Sequence, residues 1–159
     1  MGYSTEMRNL HEHLVTLATH APHKVALVVC DSDGRAIEEI SRATLLARVE
    51  KAAKYMLHTG LHAGDSVALS FQNSAELLIV SWAAWSMGVV TVPLDTKRDT
   101  TELREYKIKT SGAKLMITEE TFLKTIEAPS LPWVPYLSHD ALILFTSGTT
   151  AHPKGARLT

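Results

Sequence analysis

Leu142-Ile-Leu-Phe-Thr-Ser-Gly-Thr-Thr-Ala-His-Pro-Lys-Gly-Ala-Arg-Leu-Thr159 decides how the rest of the chain is read. An apolar run, Ala141 to Phe145, has the length and composition of a buried strand. It leads into hydroxyls, glycines and one lysine. Thr146-Ser-Gly-Thr-Thr150 offers hydroxyls and consecutive backbone N–H groups around Gly148, and such groups donate to anionic oxygens. Lys154 adds a compact positive charge suited to phosphate, and Pro153 stiffens the approach to it. The strand gives these donors a rigid base. The plainer alternative is a Ser/Thr/Gly surface turn joining two strands.

The Walker phosphate loop does not fit. It requires Gly, four residues, Gly, Lys and then Ser or Thr. Counting from Gly148, the second glycine position is Pro153, and Lys154 is followed by Gly155. A Gly-x-Gly-x-x-Gly dinucleotide fingerprint is also missing from the sequence. Ser147 does not sit in a Gly-x-Ser-x-Gly nucleophile elbow.

Working outward, Glu127 to Asp140 contains Pro129, Pro132 and Pro135 and reads as a linker. Before it, strands and helices alternate. Ser66–Phe71, Gly88–Asp95 and Lys114–Thr118 have strand composition. Helices are predicted from Asn73 to about Met87, from Asp99 with Leu103, Tyr106 and Ile108 as its apolar positions, and from Glu119 to Ile126. Asn73-Ser-Ala-Glu76 has capping-box spacing. This alternation predicts an α/β fold, a mostly parallel sheet with flanking helices. Leu77, Leu78, Trp82, Trp85 and Met87 could line an apolar groove, but aromatic and Met residues at helical spacing read first as core.

Further upstream, Lys24–Cys30 and Arg35–Ile40 flank the turn residues Asp31-Ser-Asp-Gly34 and predict a hairpin. A helix over residues 3–19 precedes it, with Leu10, Leu14 and Leu17 on one face, and Pro22 ends it. Another follows from an N-cap at Ser41. It places Leu45, Leu46, Val49, Ala53, Met56 and Leu57 on one face and Gly60 at C′. Its Arg48, Lys51 and Lys54 read as a solvated face.

The bulk numbers narrow the function classes. The chain has 159 residues, 45% of them hydrophobic and 21% charged, enough for one domain with a core. A net charge of −1 gives no electrostatic case for nucleic acid or an anionic membrane as partner. The lone Cys30 excludes an internal disulfide and fits a reducing compartment. No signal-like or membrane-spanning run is visible, so the expected location is cytoplasmic. His20 with His23, and His58 with His62, have pair spacing but no thiolate or carboxylate partners, and no metal site is expected from them.

At Thr146-Ser-Gly-Thr-Thr-Ala-His-Pro-Lys-Gly155 the chain resembles the signature loop of the adenylate-forming (AMP-binding) superfamily: acyl-CoA synthetases, nonribosomal peptide adenylation domains and luciferases. Gly60 to Asp65 with Val67-Ala-Leu and Asn73-Ser, Gly88 to Asp95 with Val92-Pro-Leu-Asp95, Ser111-Gly-Ala-Lys-Leu115 and Asp140-Ala-Leu-Ile-Leu-Phe145 match in the family's order. The resemblance runs from about Ala21 to Thr159.

The resemblance implies ATP- and Mg2+-dependent activation of a carboxylic acid to an acyl-adenylate. A thiol, coenzyme A in the acyl-CoA synthetase-like branch, then takes the acyl group. By position, Thr146, Ser147, Gly148, Thr149, Thr150 and Lys154 would grip the ATP phosphates. It also implies that residues 1–159 are a partial N-terminal AMP-binding domain, with the remaining large domain, the acyl pocket and a mobile C-terminal domain lying outside the sequence. A sheet cut after the loop strand is then expected to leave an unpaired edge. A catalytically silent chain that at most binds nucleotide phosphate is the competing reading. One departure stands inside the loop: the family pattern usually has Gly where this chain has Ala151. At a position with positive φ, Ala costs roughly 1 kcal/mol.

Overall fold

The computed structural model describes residues 10–125, 140–146 and 153–159. Two units of backbone pairing emerge, a two-stranded hairpin and a five-stranded sheet. The first 9 residues, the proline-rich linker and most of the closing loop lie outside the described residues.

Helix α1 (Leu10–His20) buries His11, Leu14 and Ala18. The face is thus rotated from the predicted one, and Leu10 stays 40% exposed. The hairpin follows, β1 (Val25–Cys30) antiparallel to β2 (Ala36–Ser41). Its turn is held by the Asp31 carboxylate, which accepts the N–H groups of Asp33 and Arg35, both at 2.9 Å. Ile40 is buried and Leu27 and Val29 pack on the core, while Val28 and Ile37 face outward.

Helix α2 (Arg42–His58) starts where the sequence predicts, with the Ser41 hydroxyl accepting the Thr44 N–H at 3.2 Å. Leu45, Val49, Ala52, Ala53 and Met56 are buried along one side. Burying each of the larger of these is worth about 1.5–3 kcal/mol as an upper bound. The helix ends in a Schellman arrangement. Gly60 takes φ +87°, its N–H bonds the Leu57 carbonyl, and the Leu61 N–H bonds the Met56 carbonyl. A side chain at Gly60 would be strained in that left-handed conformation.

The main sheet runs β5-β3-β4-β6-β7. Strands β3 (Ser66–Ser70), β4 (Val90–Pro93), β5 (Ala113–Thr118) and β6 (Leu142–Thr146) are parallel, as the alternation predicts, and β7 (Lys154–Leu158) is antiparallel to β6. The edge therefore falls at β7 and not at β6. It is exposed along its whole length and carries Lys154 and Arg157.

The two faces of the sheet are covered differently. Val67 and Leu69 of β3 and Ile117 of β5 join α1, α2 and α3 (Ala75–Ser86) in the larger core, which also takes in Phe122 of α5 (Glu119–Thr125). Val90 and Val92 of β4 pack with Ile143 and Phe145 in a smaller cluster, on the side of α4 (Thr101–Ser111).

Two helix starts correct the sequence reading by one residue each. Ser74, not Asn73, caps α3 and accepts the Leu77 N–H at 3.3 Å, so Glu76 is not in the capping-box position. Thr100, not Asp99, caps α4. The α3 face also differs from the expected one. Ala75, Ile79, Val80, Ala83 and Ala84 are its buried apolar residues, while Leu77, Trp82 and Trp85 are only half-buried. Small side chains let α3 lie close to α2 and the sheet. Trp85 instead uses its N–H, donating to the Ala141 carbonyl at 2.8 Å and so tying the start of β6 to α3.

Candidate functional site

In a parallel sheet the carboxyl ends of the strands share one edge, and ligands bind there. Here β3, β4 and β6 end around a cleft of roughly 900 Å³. Phe71 and Asn73 line it after β3, Leu94 and Asp95 after β4, and Phe145 and Thr146 at the end of β6. Leu77 of α3 and Leu103 and Lys107 of α4 complete the walls. Helices α3 and α4 follow β3 and β4 directly, so their N-termini start at this edge. Such termini carry partial positive charge and unpaired N–H groups, which favour an anion.

The loop's two stems are fixed by β-pairing. Thr146, the last residue of β6, is the register partner of Lys154, the first of β7. The Thr146 hydroxyl donates to the Lys154 carbonyl at 3.4 Å, a long bond, and both residues are exposed. The structure thus brings together the first and last of the sequence-predicted phosphate residues. Ser147, Gly148, Thr149 and Thr150 lie outside the described residues, as does Ala151.

Behind the stems stands α4. The Tyr106 hydroxyl donates to the Pro153 carbonyl at 3.3 Å. Its ring meets Phe145 edge-on, centroids 6.4 Å apart at 68°. Phe145 also leans on the returning strand at Gly155. A Cβ at Gly155 would lie 3.4 Å from two atoms of that ring and 3.1 Å from Ile143 Cγ2. Glycine there leaves room for the aromatic ring between the strand pair and α4.

The β4–α4 connection is held by carboxylates. Asp99 is buried and takes the Lys107 ammonium on both oxygens, at 2.6 and 2.7 Å. It also accepts the Asp95 N–H at 2.8 Å. Lys107 is buried as well, with its ammonium 5.9 Å from the Phe145 ring centroid. The Asp95 carboxylate accepts the N–H groups of Lys97 and Arg98, which hold it below the usual carboxylate range, with the Arg98 charge adding to the effect. Asp95, Asp99, Lys107 and Phe145 therefore form one connected wall of the cleft.

Sequence reasoning missed Tyr106, Asp99 and Lys107 as site-shaping groups. One signal was present. Lys107 lies four residues after Leu103, on the apolar side of α4, and a buried lysine needs a carboxylate nearby. No comparable signal marked Tyr106, whose partner lies 47 positions away in sequence. Among the described residues, no three His, Cys, Asp or Glu side chains gather closely enough to hold a metal ion. His62 sits in the turn after α2, its ring Nδ1 2.9 Å from the Gly60 carbonyl oxygen. No helix among the described residues is long and apolar enough to cross a membrane.

The family model described as AMP-binding enzyme matches residues 15–140. The 2-succinylbenzoate–CoA ligase of Bacillus subtilis is 29% identical over 164 residues, a match covering 92% of this chain and 32% of that enzyme. The crotonobetaine/carnitine–CoA ligase of Citrobacter koseri is 28% identical over 193 residues, covering 96% of this chain and 36% of the relative. Among solved structures, O-succinylbenzoate coenzyme A synthetase from Bacillus subtilis, in complex with AMP, superimposes with a TM-score of 0.75 at 25% identity, over 89% of this chain and 40% of that one. The N-terminal subdomain of Klebsiella oxytoca NpsA, at 24% identity and a TM-score of 0.79 over 95% of this chain and 40% of that one, shares the fold. The chain spans about a third of the length of the curated relatives it matches.

Proposed function

The chain belongs to the AMP-binding enzyme family, and on that premise we propose that it supplies the ATP-phosphate site of an enzyme that activates a carboxylic acid as its acyl-adenylate. In that reading Thr146, Ser147, Gly148, Thr149, Thr150 and Lys154 hold the phosphates. Coenzyme A is the thiol that receives the acyl group, making the whole protein an acid–thiol ligase. The carboxylate attacks the α-phosphorus of ATP, pyrophosphate leaves, and the thiol then displaces AMP from the acyl carbon.

The observation that carries this reading is the pairing of Thr146 with Lys154 across β6 and β7, at the edge where α3 and α4 present their N-termini. A hydroxyl, an ammonium and helix N-termini at one edge make a donor set suited to a polyphosphate. Mg2+ keeps water and phosphate ligands and does not require an all-protein cage, so it would be held chiefly through the triphosphate. The relatives are named for acids as different as 2-succinylbenzoate and carnitine. What this chain has in common with them is therefore better read as nucleotide machinery than as an acyl pocket.

Lys154→Ala tests the proposal. A hydrogen bond to a charged group is worth about 1.5–3 kcal/mol, so ATP affinity should fall about 10- to 100-fold. AMP, lacking the outer phosphates, should bind as before, and the melting temperature should hold, because Lys154 is exposed. Equal ATP affinity in the two proteins would remove Lys154 from the phosphate site. Carboxylate-dependent ATP–pyrophosphate exchange separates the ligase from the competing reading, a chain that binds nucleotide phosphate without turnover.

A further inference from the structure

We infer that Tyr106 is a positioning residue for Lys154, at the returning stem of the candidate phosphate loop, acting on the peptide that precedes it. The inference rests on the phosphate reading of that loop. Three contacts carry it. First, the hydroxyl of Tyr106 donates to the Pro153 carbonyl at 3.3 Å. The β6–β7 ladder ends at Thr146 and Lys154, so Pro153 is the first residue beyond it on the return side. The tyrosine extends fixation of the backbone by one residue towards the loop. Second, the Tyr106 ring packs edge-on against Phe145, the residue before Thr146. One side chain thereby touches the outgoing stem through its ring and the returning stem through its hydroxyl. Third, Phe145 fills the space above Gly155, so Tyr106, Phe145 and the returning strand form one packed unit.

Consecutive peptides in a strand share little freedom once one carbonyl is pinned, because only φ and ψ remain soft. Pinning the Pro153 carbonyl therefore restricts the direction in which the Lys154 side chain leaves the backbone. Tyr106 does this from a helix whose own start is fixed by the Thr100 cap and the buried Asp99–Lys107 pair. Nothing in the arrangement asks Tyr106 to touch the nucleotide. It sets where Lys154 points.

Tyr106→Phe removes the hydroxyl and keeps the ring on Phe145. Kd values for ATP and for AMP, with the melting temperature, are measured for the protein, for Tyr106→Phe, for Lys154→Ala and for the double variant. The expected result is a 3- to 10-fold weaker Kd for ATP in Tyr106→Phe, an unchanged Kd for AMP, and an unchanged melting temperature. In the double variant the ATP loss should equal that of Lys154→Ala alone, since a positioning residue has no effect once the group it positions is gone. Three results overturn the inference: an unchanged ATP affinity, losses of ATP and AMP affinity that run in parallel with a lowered melting temperature, or fully additive losses in the double variant. If Lys154→Ala selectively weakens ATP and Tyr106→Phe does not, the positioning role alone fails. If neither variant distinguishes ATP from AMP, the phosphate reading fails with it.

Discussion

Replacing both members of the buried Asp99–Lys107 pair should cost clearly less than the two single replacements added together. The two side chains are 4% and 10% exposed, and the ammonium meets both carboxylate oxygens at 2.6 and 2.7 Å. Lys107→Met leaves Asp99 buried, with the Asp95 N–H as its hydrogen-bond donor among the described residues. Breaking a buried ion pair from one side costs about 3–5 kcal/mol, because the remaining charge has lost both water and its partner. For a chain of this size each kcal/mol moves the melting temperature about 2–4 °C, so Lys107→Met should lower it by roughly 6–20 °C. Asp99→Asn is the sharper probe. Its amide oxygen can still accept the Asp95 N–H, so its cost isolates the lost charge partner.

The double replacement, Asp99→Leu with Lys107→Met, removes both charges and fills the space with apolar atoms. Such swaps are often neutral or stabilising. Here the Asp95 N–H also loses its acceptor, but Asp95 is exposed and water can replace part of that bond. The double variant should therefore be less destabilised than the sum of its singles by at least about 2 kcal/mol. Urea unfolding followed by circular dichroism, with equal m-values across the set, provides the measurement. If Lys107→Met lies within about 1 kcal/mol of the parent, or if the two losses simply add, the pair is not the wall of the cleft argued for above.

Two further outcomes follow from the same contacts. Gly155→Ala relieves the entropy of a strand glycine, worth roughly 0.5–1 kcal/mol, but forces a Cβ to within 3.1 Å of Ile143 Cγ2 and 3.4 Å of the Phe145 ring. Overpacking costs about 1–3 kcal/mol, so the variant should be net destabilised in urea, and a stabilised variant would show that Phe145 has room to move. His11 gives a pH dependence. Burial holds its pKa below the ordinary 6.5, outweighing the attraction of Glu50 and Glu12. The unfolded chain then binds more protons than the folded one just below pH 6.5, so stability is complete above that value and falls as pH drops through it. His11→Gln should flatten this part of the urea-midpoint-against-pH curve, and an unchanged slope would assign the dependence to other groups.

Much of the fold was legible because each signal was local. The apolar runs within Val25–Cys30 and Ser66–Ser70, the hydroxyl of Ser41 and the positive φ of Gly60 act within a few residues of where they stand in sequence. The errors arose where two local rules competed and the core decided between them. Asn73 and Ser74 are both good caps, and Ser74 is the one used in the register that buries Ile79, Val80 and Ala83. Asp99 and Thr100 presented the same choice. Thr100 caps the helix while Asp99 turns inward to Lys107, a partner that no cap rule considers.

The candidate site divides along the same line. Thr146 and Lys154 could be named as candidates from residue type and spacing, since any loop that binds phosphate must offer donors. The groups that hold those donors in place could not, because their contacts cross the fold. Tyr106 reaches Pro153 across 47 positions, and Trp85 reaches the Ala141 carbonyl across 56. Between them these two aromatic side chains hold β6 at its start from the α3 side and the returning limb at its beginning from the α4 side. The strand pair has only a short parallel ladder to β4, with Thr91 opposite Leu142 as its register pair. Side-chain hydrogen bonds therefore supply the positioning that backbone pairing leaves undone. That division places the positional information in α3 and α4, away from the residues that identify the loop in sequence.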